Sequence, residues 1–389
     1  MPGAYLDHAA TTPMRPEALA ALAEASAEVF ANPSGSHAAA RRARRALDDA
    51  RDVVADVVGA HPAEVVFTSG GTEADNLAVT GVARASAGRV LCSAVEHHAV
   101  LSPTEVAGGS TVAVRADGAL DLGALERALA TGAPVALLSV MTANNETGAL
   151  TALDPVADVV ARCSPHTVIH TDAVAAAPWL HLPEHTGRAH LVSVSGHKVG
   201  GPKGIGALVV RSGTPLAPIL VGGGQEQERR GGTPNVAGAV AFAAALAAAV
   251  RGRAQTVARV EALRTRLVAG LVAAVPDAVV VSPSEPGRRT AGTVMVCFSG
   301  VDREALLFSL DQAEVAASWG ASCSSGATAP SHVLAAMGVA PDLAAGALRL
   351  SLGWCSTDAD VDHVLAVLPD VVARLRAGAD RPAAARLAP

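Results

Sequence analysis

The sequence predicts an α/β fold on a mostly parallel sheet, and three observations carry that prediction. Between about residues 60 and 210, short apolar runs alternate with turns and helical segments. The 389 residues are 50% apolar, enough for a large core and for two domains. Aromatics make up only 2%, so the apolar mass is mostly Ala, Val and Leu, small side chains that suit helices lying closely on a parallel sheet.

The first strand is EVVFTS (Glu64–Ser69), and GGTEADNLAVTGVA reads as a turn into a helix behind it. RVLCS, TVAVR, VALLSV, TVIHT and LVSVS follow as further strands, with helices LDLGALERALA and LDPVADVVARC between them, and GIGALVVR (Gly204–Arg211) closes the series. The polar loop GGGQEQERRGGTPN (Gly222–Asn235) breaks the pattern. Two helices are expected beyond it, Ala237–Val250 and Thr256–Ala273. Short strands resume near VVVS and TVMVCF, with helices starting near Asp302, Ser331 and Asp358, as a smaller α/β unit after about residue 260. The tail, RAGADRPAAARLAP, is expected to fray.

Composition excludes several classes. A net charge of −6 does not suit a nucleic-acid groove, and the arginines of RRARR (Arg41–Arg45) read as one solvated helix face. The N-terminal MPGAYLDHAATTPM lacks the pattern of a signal peptide, and AFAAALAAAV (Ala241–Val250) is too short and alanine-rich to span a bilayer. Five cysteines without a close pair argue against a disulfide framework or a structural zinc, so a reducing, cytoplasmic home is the default. Cys92 and Cys297 lie in apolar strands and read as core; Cys163 and Cys355 read as structural.

Ligands in such folds sit beyond the carboxyl ends of the strands, and several reactive groups fall there. Lys198 follows a strand within SVSGHKVGGPKGIG; alone it reads equally as an ordinary turn lysine or as an amine forming a Schiff base with a carbonyl. Asp172, closing TVIHT, tips the balance. A pyridoxal phosphate cofactor needs a lysine for its aldehyde, a carboxylate beside its pyridine nitrogen and a phosphate site. Gly-Gly in SGGTE (Ser69–Glu73) offers that site, with free N–H groups at a helix start. VEHHAVL adds His97 and His98, one to stack on a flat ring or both an ordinary loop pair, and TANNETG adds amides that form turns or position substrate. Arg349 suits a substrate carboxylate, or else lies on the surface. Cys323, in SWGASCSSGATAPS, sits among small polar residues as a thiol nucleophile or carrier.

YLDHAATTP, NPSGSH, FTSGGTEADNLA, VEHHAV, NNETG, SGHKVGGPKGIG, GGGQ, the Cys323 stretch and LRLSLG together resemble the cysteine desulfurases of the NifS/IscS type, within the aminotransferase class V group. The resemblance implies a fold type I pyridoxal-phosphate enzyme: a large domain (16–255) with a mostly parallel seven-stranded sheet, and a smaller α/β unit (1–15 plus 256–389) carrying a mobile cysteine loop at about 318–331. It implies Lys198 as the Schiff-base lysine, Asp172 on the ring nitrogen and His97 on the ring, with a further part in moving protons. Gly71, Thr72, Ser195 and His197 take the phosphate, as does Thr233 from a partner subunit, making a homodimer. Asn145 and Arg349 hold the substrate carboxylate, with Asn32 nearby, Asn145 also lying in the cofactor site, and Cys323 receives sulfur from L-cysteine as a persulfide. An acceptor protein then takes the sulfur, for iron–sulfur assembly, tRNA thiolation, thiocofactors or DNA phosphorothioation. Neither metal, membrane nor direct nucleic-acid binding is implied. The competing readings are a lyase for selenocysteine or a cysteine conjugate, and a non-catalytic sulfur-delivery scaffold. The sequence departs from the family at Ala175, where a glutamine usually meets the ring oxygen, at RGGT for RSGT, at Gln227 for an arginine, and at Trp319 for a small serine.

Overall fold

The computed structural model describes residues 3–320 and 331–379. The chain opens with β1 (Ala4–Tyr5), α1 (Pro16–Glu28) and α2 (Ala38–Val58). Then come β2 (Val65–Thr68), α3 (Gly71–Ala85), β3 (Arg89–Ser93), α4 (His98–Val106), β4 (Ser110–Val112) and α5 (Leu122–Ala130). They are followed by β5 (Val135–Ser139), α6 (Leu153–Cys163), β6 (Val168–Asp172), α7 (Leu182–Thr186), β7 (Leu191–Ser195) and β8 (Gly206–Val210). The remainder is α8 (Val236–Ala274), β9 (Val279–Val280), β10 (Thr293–Cys297), α9 (Arg303–Gln312), β11 (Val315–Ala316), α10 (His332–Ala336), α11 (Pro341–Ala344), β12 (Ala347–Ser351) and α12 (Asp358–Ala379).

The expected sheet forms, seven strands in the order β2-β8-β7-β6-β5-β3-β4. Its pairs are parallel except the two made by β8. Central strands β5, β6, β7 and β8 are buried along their whole length; β5 and β8 read as near-continuous apolar runs, while β6 and β7 carry His170, Thr171, Asp172, Ser193 and Ser195 inside. One face packs on Leu47 and Val54 of α2, Leu125 of α5 and Phe242 and Leu246 of α8. The other packs on Leu77 and Val82 of α3 and Val100 of α4. Parallel strands place their carboxyl ends along one edge, so Asp172, Ser195 and the loops after β2, β3 and β5 meet there.

A second core gathers Val260, Leu263, Leu267 and Leu271 of α8, Leu306 of α9 and Val364 and Leu368 of α12 around an antiparallel sheet, β12-β10-β9. Ala4 and Leu6 belong to this core, because β1 pairs with β11. The two helices expected at Ala237–Val250 and Thr256–Ala273 are one 39-residue helix, α8. Arg-Gly-Arg-Ala-Gln between them holds no proline, and a single glycine costs a helix only about 1 kcal/mol, so nothing stops it. Among the described residues α8 is the one helix long and apolar enough to cross a bilayer, but 56% of its apolar window is buried. Two smaller differences concern ends: TVAVR joins the seven-stranded sheet only as far as Val112, with Val114 bridging Leu120, and residues 376–379 of the expected frayed tail are helix in α12, the rest of that tail lying outside the described residues.

The glycine-rich loop is pinned to the sheet. Arg51 of α2 donates from Nη1 and Nη2 to the two oxygens of Glu226 at 2.8 Å each, and Phe67 N donates to the same carboxylate at 2.8 Å. That fork holds Glu226, Gln227 and Glu228 at φ of 46°, 58° and 65°, left-handed conformations that side chains with a Cβ resist. Arg230, further along the loop, pairs with Glu73 of α3 at 2.9 Å. Glu226→Ala strands a buried guanidinium and an amide together, so it should lower unfolding free energy by about 3–5 kcal/mol. Denaturant titration checks this; a loss below 1 kcal/mol would mean that the fork does not hold the loop.

Candidate active site

The strand ends border an open cleft of about 320 Å³, lined by Gly71, Thr72, His97, Asn145, Asp172, Ser195, His197, Lys198 and Arg349. Local chemistry explains each position. Gly70 turns from β2 into α3 at φ 152°, and with no side chain capping α3 its first N–H groups face the cleft. A Cβ on Gly71 would come within 2.9 Å of Val174. Beside this turn the Ser195 hydroxyl is buried without a hydrogen-bond partner among the described residues. Exposed helix amides next to an orphaned hydroxyl make an anion site.

Lys198 ends the short turn Gly196–Lys198 after β7, and its ammonium donates to the carbonyl of Ala9. Asp172 is 6% exposed, and one of its oxygens accepts from Val174 N at 2.8 Å. Burial pushes this carboxyl up to about 6, against the pull of the Val174 N–H and the Lys198 charge. Two residues back on the same face of β6, His170 is wholly buried, its Nδ1 2.8 Å from Ser139 Oγ and its Nε2 2.9 Å from Ser193 Oγ. Burial drives it down to about 3, so it is a neutral imidazole. Asp75 of α3 lies 3.6 Å from His170 Nε2; burial and the neighbouring Asp172 raise its pKa well above the ordinary value, so this is a contact between neutral groups and not an ion pair. Glu96 accepts from Met141 N at 2.6 Å and is pushed up to about 8 by burial. Burial and neighbouring carboxylates disfavour the charged forms of Asp75 and Glu96, and Asp172, at about 6, ionises more readily than Glu96, at about 8.

His97 caps α4, its Nδ1 accepting from Ala99 N at 3.1 Å, and burial together with Lys198 lowers it to about 4. His197, 3.2 Å from Thr11 Oγ1, is held at about 4 chiefly by burial. His98 is exposed, with its ring 4.9 Å from that of His332. Arg349, which the sequence left open to a surface reading, is 1% exposed.

Asn32 and Thr233 do not join the cleft: both are exposed, and Asn32 spends its side chain on Ser34 N in its own turn. Cys323 lies outside the described residues. Its described flanks reach the cleft, Gly320 by lining it and Ser331 by donating to Glu146 Oε2 at 2.5 Å. Ala175 borders both this cleft and a neighbouring one that holds Trp179 and Trp354. Trp319 rests on the guanidinium of Arg303, 4.1 Å from its ring centre. Cys92 and Cys297 are core, their thiols pushed up to about 12 by burial, but Cys355, expected to be structural, is exposed in the turn after β12. Sequence reasoning missed Asp7, Asp75, Glu96 and Glu146. The only signal for them is a carboxylate inside each of four quoted motifs; the burial of Asp75, Glu96 and Glu146 and the pairing of Asp7 with Arg349 are tertiary.

Residues 4–364 match the family model described as aminotransferase class-V. The IscS-like cysteine desulfurase of Mycobacterium tuberculosis is 44% identical, covering 97% of this chain and 98% of that one. Among solved structures, a NifS-like protein superposes with a TM-score of 0.88 at 30% identity, over 96% of this chain and 100% of that one. SspA in complex with cysteine gives 0.74 at 29%, over 91% and 100%.

His170 makes a pH prediction. The unfolded chain binds a proton near 6.5 that the folded protein accepts only near 3, so this residue lowers stability as pH falls through that window. The slope is at most about 1.4 kcal/mol per pH unit. His170→Asn should flatten the acid limb of a stability-against-pH curve, measured by denaturation between pH 7.5 and 4.5; an unaltered slope would contradict the neutral buried imidazole.

Proposed function

The chain belongs to the aminotransferase class V family, and we propose that its cleft converts L-cysteine to L-alanine and retains the sulfur, as a cysteine desulfurase does. The enzyme depends on pyridoxal 5′-phosphate. The residues fit that group: the orphaned Ser195 hydroxyl beside the α3 amides suits its phosphate, and the buried, ionisable Asp172 suits a protonated ring nitrogen. The observation that carries this reading is the convergence of Lys198, Asp172, the α3 N-terminus and Arg349 on one cleft.

Gly71, Thr72, Ser195 and His197 would hold the phosphate, Asp172 the ring nitrogen, His97 the ring face and Lys198 the aldehyde. Bound in this way, the cofactor supplies an electron sink that makes the substrate's carbon–sulfur bond breakable. Arg349 and Asn145 fix the substrate carboxylate and so orient the amino acid. Once the substrate's amine has taken its place at the aldehyde, the freed Lys198 Nζ would take the proton from the substrate's α carbon. His97 stays neutral across the working pH range, because burial and the neighbouring cations disfavour its charged form, and with Nδ1 accepting from Ala99 N its Nε2–H can donate toward a thiolate sulfur. The nucleophile is Cys323: its thiolate bonds to the substrate's sulfur as the carbon–sulfur bond breaks, the bonding pair stays with the carbon fragment that is protonated and leaves as L-alanine, and the sulfur remains on Cys323 as a persulfide for an acceptor protein. A homodimer, with Thr233 completing the partner's phosphate site, a cytoplasmic setting and the division into 16–255 and 1–15 plus 256–389 belong to the same proposal.

Cys323→Ser should keep the cofactor's absorbance and lose sulfide release from L-cysteine in the presence of reductant. Turnover retained in that variant would point to a lyase for selenocysteine or a cysteine conjugate, and protein that stays colourless with added cofactor would point to a scaffold. Ala175→Gln should restore a bond to the ring oxygen and tighten cofactor binding by about 1.5–3 kcal/mol. Equilibrium dialysis and the absorption maximum read this out; no change in either means that another group already serves the oxygen.

A further inference from the structure

Arg349 has a resident anion. The side chains of this residue and of Asp7 are 2% and 21% exposed, and Nη2 donates to Asp7 Oδ1 at 2.9 Å. Nη1 is spent on the carbonyls of Asn145 at 3.0 Å and Gly320 at 3.2 Å. Glu146, the other carboxyl close by, is committed to the Ser331 hydroxyl. Among the described residues, Asp7 is the ion-pair partner of this buried guanidinium.

Asp7 is not a loose surface carboxylate that happens to swing in. Leu6 N donates to Ala316 O at 2.8 Å and Ser351 N to Leu6 O at 2.7 Å. His8 N donates to Ser351 O at 3.2 Å, and the Tyr5 hydroxyl donates to Thr11 O at 2.8 Å. The backbone on both sides of Asp7 is therefore fixed against β11 and β12, and its carboxylate is delivered to Arg349 by the fold. A buried guanidinium needs such a partner, since an uncompensated charge there would be costly.

Resting on the assignment of Arg349 to the substrate carboxylate, we propose that Asp7 is a positioning residue that sets substrate affinity: it holds the guanidinium in place and, as a permanent second anion, weakens its grip on the incoming carboxylate. A substrate carboxylate must share Arg349 with Asp7. The repulsion between the two acids raises the KM for L-cysteine and eases departure of L-alanine, which carries the same carboxylate. Neither effect applies to a ligand without a carboxylate.

The test uses holoenzyme with the D7N substitution, which keeps an acceptor oxygen for Arg349 and removes the charge. The KM for L-cysteine should fall roughly tenfold, with kcat changed less than twofold, and inhibition by L-alanine should tighten by the same factor. Cysteamine, which has the amine and thiol but no carboxylate, should compete as it does with the parent enzyme. D7S carries the same expectation and serves if D7N does not fold; D7E, which keeps the charge, should return KM toward the parent value. A KM that rises in D7N, or constants for cysteine and cysteamine that move together, would overturn the proposal and leave Asp7 a structural residue. R349Q keeps the two readings apart. It should abolish the preference for L-cysteine over cysteamine, and if that preference survives, the assignment of Arg349 itself is wrong whatever Asp7 does.

Discussion

A charge at the end of a buried parallel strand must be compensated by its surroundings, and the organisation of this cleft follows from that. Asp172 closes β6 inside the protein, where burial alone would keep it protonated. Its neighbours relieve it in two ways. A backbone N–H and the Lys198 ammonium favour its ionised form, while burial disfavours the charged forms of Asp75 and Glu96, the nearest competing acids. His170, pinned between two serines, stays neutral and adds no charge of its own. The network directs negative charge to Asp172, which lines the cleft.

The same rule governs the opposite wall. Arg349 is buried on β12 of the second core, and its counter-ion arrives from the N-terminal segment that pairs with β11 and β12. Residues 7–9 thereby touch both principal cations of the cleft, Asp7 on Arg349 and the Ala9 carbonyl on Lys198. A short stretch of chain far from both in sequence joins the two walls.

How much of this was legible beforehand depended on range. The sheet, its strand ends and the SGGTE turn were readable because apolar runs and glycines act within a few residues of themselves. Lys198 and Asp172 could be paired because adjacent strands end together. The continuity of α8 escaped, since the weak break at Gly252 looks the same whether or not packing on both sides supports a helix. Asp75, Glu96 and Glu146 also escaped, because a carboxylate in a motif does not reveal that it will be buried. Asn32 and Thr233 matched a family pattern yet stand exposed and outside the cleft of this chain, and a role contributed across a subunit boundary leaves no trace in one chain's packing.

The length of α8 bears on mechanics. At 1.5 Å per residue its 39 residues form a rod of roughly 58 Å, with its first half in one core and its second half in the other. Two bodies joined by a flexible linker swing freely, whereas bodies sharing one rod move relative to each other only as far as the rod flexes or its packing slides. Lys198 follows β7 and Arg349 lies on β12, and both line one cleft, so the stiffness of α8 near Gly252 limits how far the two walls of that cleft can part and is a quantity on which selection can act.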